Sequence, residues 1–112
     1  MTPNELIQAL ANGPVDFKQT MSVIDQFYQF SPTTFSNGTA VNEAGSNNGS
    51  CKIFAFGKLN ELSEQATLNA FGDFYTVDVL QNPDAEDHAN IRNFMKTGWG
   101  GVTFSGDALS PL

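Results

Sequence analysis

Cysteine and positive charge are what this chain has least of. The single thiol, Cys51, excludes an internal disulfide and a cysteine-based structural zinc site. One reduced cysteine fits a reducing cytosol better than the extracellular space. Lysine and arginine number 5 against 12 aspartates and glutamates, for a net charge of −7. No Lys or Arg falls between Lys58 and Arg92, whereas Glu61, Glu64, Asp73, Asp78, Asp84, Glu86 and Asp87 all do. Those carboxylates make up the whole acidic excess. Such a surface repels phosphate backbones and anionic bilayers, so no nucleic-acid or membrane partner is expected. It favours a protein partner with a basic surface. No apolar run approaches the roughly 18 residues of a membrane span, and no basic region followed by an apolar one opens the chain. Internal repeats and heptads are also missing.

What remains is enough for one core. A chain of 112 residues makes a single domain. It should bury roughly 65% of its unfolded surface. Ten phenylalanines with Trp99, Tyr28 and Tyr75 supply the material. Thr2-Pro3-Asn4-Glu5 reads as a capping box with proline at the first helical position, and Gly13-Pro14 as the stop. A second helix from Asp16 carries Phe17, Met21, Ile24 and Phe27 or Tyr28 on one face, and Ser31-Pro32 ends it. Asn37-Gly38 signals a tight hairpin. Residues 33–36, 39–42 and 102–105 are expected to form the sheet. Residues 43–50 form a loop hinged at Gly45 and Gly49. Ser50 is the expected N-cap of a helix over Cys51 to Leu59, and Ser63 of one running through Leu68, Phe71, Phe74 or Tyr75 and Val79. Gly72 inside that stripe points to a close crossing. Asp84 or Asp87 is expected to cap a last helix with Ile91, Phe94 and Met95, ended by Gly98. These elements predict an α+β fold: a helix-dominated single domain over residues 1–112, with four to five helices and a small two- to three-stranded antiparallel sheet.

An ordered series of segments resembles one family. These are F-S-P-T-T-F-S-N-G at 30–38, N-E-A-G-S-N-N-G-S-C-K-I-F-A-F at 42–56, T-L-N-A-F-G-D-F-Y at 67–75, D-V-L-Q-N-P-D-A-E-D-H-A-N-I-R-N-F-M at 78–95 and G-W-G-G at 98–101. Together they resemble the HopJ family of type III effector proteins over about Phe17 to Leu109. The resemblance implies a bacterial protein delivered into a host cell. It carries no reaction, cofactor or catalytic residue with it. Against delivery, helix signals begin at Thr2 and leave no disordered leader, so residence in the bacterial cytoplasm is the first expectation and secretion the alternative.

Three readings of the chemistry compete. The first is a non-enzymatic binding domain whose acidic 59–91 segment faces a basic partner. The second is a small cysteine-dependent hydrolase or transferase. A thiol in the first turn of a helix gains thiolate character from the dipole; Cys51 would be the nucleophile, His88 the base, and Asp84 the group that orients it. The third is a resident cytosolic small-molecule-binding protein, with the 42–52 loop as one pocket wall. Candidate binding residues are Asn42, Glu43, Asn47, Asn48, Ser50, Lys52 and Trp99. The first five also suit turn formation through their own backbone, and the N–H groups at 49–52, helped by Lys52, suit an anion. Trp99 suits either a contact anchor or a lid on the core. Asp84, Glu86, Asp87 and His88 lack the spacing of a calcium loop, so no metal and no cofactor are expected.

Overall fold

The computed structural model describes residues 1–112. The chain opens with α1 (Pro3–Asn12), and the capping box is formed as the sequence predicts: Glu5 N–H donates to Thr2 Oγ1 and Thr2 N–H to the Glu5 carboxylate. Next comes α2 (Phe17–Phe27). It stops short of Ser31-Pro32, because Tyr28–Phe30 is a strand, β1, paired antiparallel with β5 (Leu109–Pro111) at the end of the chain. The second small sheet is antiparallel and holds β2 (Phe35–Asn37), β3 (Ala40–Asn42) and β4 (Val102–Phe104) in the order β3-β2-β4. β3 and β4 fall within the predicted segments, and β2 overlaps its own but runs one residue past it, to Asn37. The hairpin turn is Gly38-Thr39 rather than Asn37-Gly38, since Asn37 stays in the strand opposite Ala40 with a fully buried side chain. Gly38 takes the left-handed φ of +63° that the turn requires.

The centre of the molecule is α3 (Asn48–Leu59). It buries Cys51 and every residue from Ile53 to Gly57, so it is covered on nearly all sides. Phe54 sits among four rings: Phe35, Phe71, Phe94 and Trp99 have centroids 5.9, 5.7, 5.0 and 6.4 Å away. α4 (Glu64–Asn69) starts at the predicted Ser63 cap, whose Oγ accepts from Ala66 N–H. One continuous helix does not follow. Gly72 has φ +59°, and a Cβ there would lie 2.8 Å from the Val15 carbonyl oxygen and 3.0 Å from Phe17 N. The glycine therefore lets the start of α2 press against this turn, and the chain resumes as a π-helical segment, Phe74–Val79. The expected close crossing exists, but it breaks the element instead of interrupting it.

The last helix, α5 (Ala89–Thr97), is not capped by Asp84 or Asp87. His88 precedes it in the left-handed region, with φ 51°. Arg92 binds the whole approach. Its guanidinium donates to the carbonyls of Asp78, Asn82, Pro83 and Asp87 and to Asp87 Oδ1 at 2.7 Å. Asp87 is thus engaged by a side chain one turn into α5 and cannot cap. Gly98 ends α5 as expected, and a 3-10 turn (Gly98–Gly101) leads into β4.

Candidate functional site

α3 begins three residues earlier than Ser50 would place it. Asn47 is the residue before the helix, yet its amide does not cap: Nδ2 donates instead to Asn42 Oδ1 at 2.6 Å. Cys51 is consequently the fourth helical residue, with its N–H bonded to Asn47 O. The thiol is 2% exposed, its Sγ lies 3.6 Å from the Thr33 carbonyl, and burial pushes its pKa up. That is the opposite of the lowered value a nucleophilic thiol needs. His88 Nε2 lies 3.0 Å from Asp78 Oδ2. The carboxylate that orients the ring is therefore Asp78, the penultimate residue of the π-helical segment, and not Asp84. No hydrogen bond joins Cys51 to His88; each is held by a different partner.

The polar residues gather elsewhere. A half-open groove of about 390 Å³ lies where the starts of α3 and α5 meet the end of β3. Asn42, Asn47, Ser50, His88 and Asn90 give it polar walls, and Phe17, Phe71 and Phe74 an aromatic floor. Phe17 and Phe74 meet edge-to-face at 5.0 Å, and the His88 ring tilts over Phe74 at 5.2 Å. Gly49 makes this possible, because a Cβ there would stand 2.8 Å from the Phe17 ring. The lining carries no Lys, Arg, Asp or Glu.

A buried asparagine cluster fixes one wall. Asn90 Oδ1 accepts from Asn37 and Asn42, both at 3.1 Å, and Asn90 Nδ2 donates to Asn42 Oδ1 at 3.0 Å. Asn37 Nδ2 also reaches the Asn90 carbonyl at 2.8 Å. These bonds tie the β2–β3 hairpin to the first turn of α5. Asn37 Oδ1 is left buried without a partner, a cost on the order of 1–3 kcal/mol that the rest of the network offsets.

Four of the sequence-selected residues, Asn42, Asn47, Ser50 and His88, thus share one groove. The others do not join it. Glu43 and Asn48 are exposed. Lys52 pairs with Asp25 at 2.7 Å and covers the Phe30 ring, so it cannot help hold an anion at the groove. Trp99 donates Nε1–H to the Leu62 carbonyl at 2.9 Å and lies against Phe54 and Phe94 as a half-buried lid. Asp84 is exposed on the turn before α5. Sequence reasoning missed Asn90 and the Phe17, Phe71 and Phe74 floor as site residues. Asn90 lies one helical turn before Phe94 on the apolar face of α5, and a polar residue in an apolar stripe was the available signal.

The recessed, uncharged groove and the buried thiol thus belong to one small α+β domain. The comparisons with known proteins give its kinship. The family of the HopJ type III effector protein matches residues 3–109, and the chain belongs to that family. No curated protein matches. Among solved structures, the crystal structure of the unknown-function protein VPA0580 superposes with a TM-score of 0.94 at 51% sequence identity, covering 97% of this chain and 92% of the other. The family suggests secretion into a host cell, and no helix is long and apolar enough to cross a membrane.

Proposed function

We propose that this HopJ domain acts by binding rather than by catalysis, and that the groove between α3 and α5 holds its ligand. The observation that carries this is the groove itself: convergent amide, hydroxyl and imidazole groups stand over an aromatic floor, the usual make-up of a small-molecule site. The buried Cys51, its pKa raised, supports the same reading. The ligand is a compact, uncharged polar group backed by a flat apolar surface, since no charged side chain lines the cavity. It is either a free small molecule or a side chain presented by a partner protein. Family membership favours action inside a host cell after type III delivery over residence in the bacterial cytoplasm.

A thermal-shift screen against metabolites and neutral heteroaromatic fragments tests the proposal, run on the wild type and on Ser50→Phe, which fills the groove. A ligand at a hundredfold its dissociation constant adds about 2.7 kcal/mol. The expected result is stabilisation of the wild type that is lost in a folded Ser50→Phe protein. Hits that stabilise both proteins equally, or a screen with no hits, would count against the groove.

A further inference from the structure

The eight exposed large apolar residues are unevenly spread: Phe74, Val77, Leu80 and Met95 come from just two places, the π-helical segment with the residue that follows it, and α5. The wide π turn explains the first three. Its i→i+5 bonding, seen in Leu80 N–H to Tyr75 O at 2.9 Å, brings residues four apart nearly into line. Tyr75 and Val79 accordingly share the buried face, and Phe74 and Asp78 both meet His88. Val77 and Leu80 are left pointing outward, 41% and 47% exposed. Leu80 and Met95 flank a shallow hollow of about 210 Å³, walled by Val79, Pro83 and Ala85. Arg92 also borders it, but its guanidinium is taken up by Asp87 and four backbone carbonyls. Around the hollow the chain is acidic. Asp84 and Glu86, next to the lining residues Pro83 and Ala85, have no cationic partner, and Lys96 is the one unpaired cation at the edge. Exposed apolar residues beside unpaired carboxylates mark an interaction surface.

We propose that this face, formed by the π-helical segment, the 82–87 turn and α5, docks a basic amphipathic segment of a partner protein. Apolar side chains of that segment fill the Leu80–Met95 hollow, and its Lys or Arg side chains meet Asp84 and Glu86. A second copy of the chain is the wrong occupant, because it brings the same acidic stretch and a net charge of −7. A membrane surface is disfavoured for the same reason of sign. The lining of the hollow shares no residue with the groove, so the two sites fail or succeed separately.

The probe is a synthetic helical peptide with leucines on one face and lysines on the other, titrated into the full chain and read by fluorescence anisotropy and amide NMR shifts. A control peptide carries glutamates in place of the lysines. The lysine peptide is expected to perturb residues 77–86 and 92–96, to weaken with added salt, and to lose about tenfold in affinity to Leu80→Lys and to the double variant Asp84→Lys, Glu86→Lys. Both variants alter exposed positions and leave the core intact. Equal binding of the two peptides, unchanged affinity in both variants, or shifts confined to the groove would overturn the proposal. So would a dimer in sedimentation that Leu80→Lys disperses, since a second copy would then own the face.

Discussion

Cys51 and Arg92 define the two extremes of what a single side chain does here. The thiol sits in the most covered helix of the fold, and native labelling by iodoacetamide at neutral pH should be far slower than in denaturant. Fast labelling of the folded protein would contradict the burial described above. Its raised pKa also fixes a sign. The folded state holds the thiol proton more tightly than the unfolded chain, so stability falls as pH rises above the ordinary thiol value of about 8.5. Cys51→Ala should flatten that alkaline decline, measured by urea unfolding between neutral pH and pH of about 10. Arg92 is the opposite case, a cation whose fork is fully used. Arg92→Ala should destabilise by about 2 kcal/mol, and Arg92→Lys should restore only part, because one ammonium cannot reach four carbonyls and a carboxylate. The Arg92 hydrogen bond holds the Asp87 carboxyl below its usual range. The Asp87 contribution is therefore complete above the ordinary carboxylate range and is lost as pH falls through the lowered value.

At the scale of elements, local chemistry was legible and tertiary breaks were not. The Thr2–Glu5 capping box, the Ser63 cap and the Gly98 stop all formed as read, because each is settled within a few residues. The 67–79 stretch was read as one helix, since Leu68, Phe71, Tyr75 and Val79 keep a helical period and are all buried. What divides it is the backbone of residues 15–17 pressing on Gly72, a contact between segments more than fifty positions apart that no local pattern encodes. Gly72→Ala should cost at least about 2 kcal/mol, from the left-handed φ and the contact with the Val15 carbonyl together; a chemical-denaturation midpoint equal to wild type would refute that contact. The start of α3 was misplaced for a related reason. Ser50 and Asn47 are both good N-caps, but Asn42 takes the Asn47 amide, so neither side chain caps. The same diversion put Asn42, Asn47 and Ser50 on one wall of the groove, which the loop composition had flagged. The rest of its polar lining, His88 and Asn90, comes from a helix start the sequence placed too early.

For the whole molecule, the buried asparagines couple the sheet to the last helix. Asn90→Leu matches the side chain's volume but strips the partners from Asn37 and Asn42, and it should destabilise by about 3 kcal/mol while loosening the groove wall. A value within about 0.5 kcal/mol of wild type would mean that the network contributes nothing to the fold. The acidic 59–91 stretch, read as a single partner-facing segment, is divided in the folded chain. Glu61 and Glu64 lie at the α3–α4 junction, where Glu64 accepts the Trp99 N–H, and the remaining carboxylates surround the π-helical segment and the start of α5. Composition gave the sign of that surface but not its division.

The central claim is that this HopJ domain binds through the recess between α3 and α5. Amide NMR of the labelled full chain, titrated with the stabilising fragments, tests it most directly. The account predicts saturable shifts centred on residues 42, 47–50 and 88–91 in the wild type, and none at those positions in Ser50→Phe. Saturable shifts centred elsewhere, or covalent modification of Cys51 with turnover of the fragment, would contradict it.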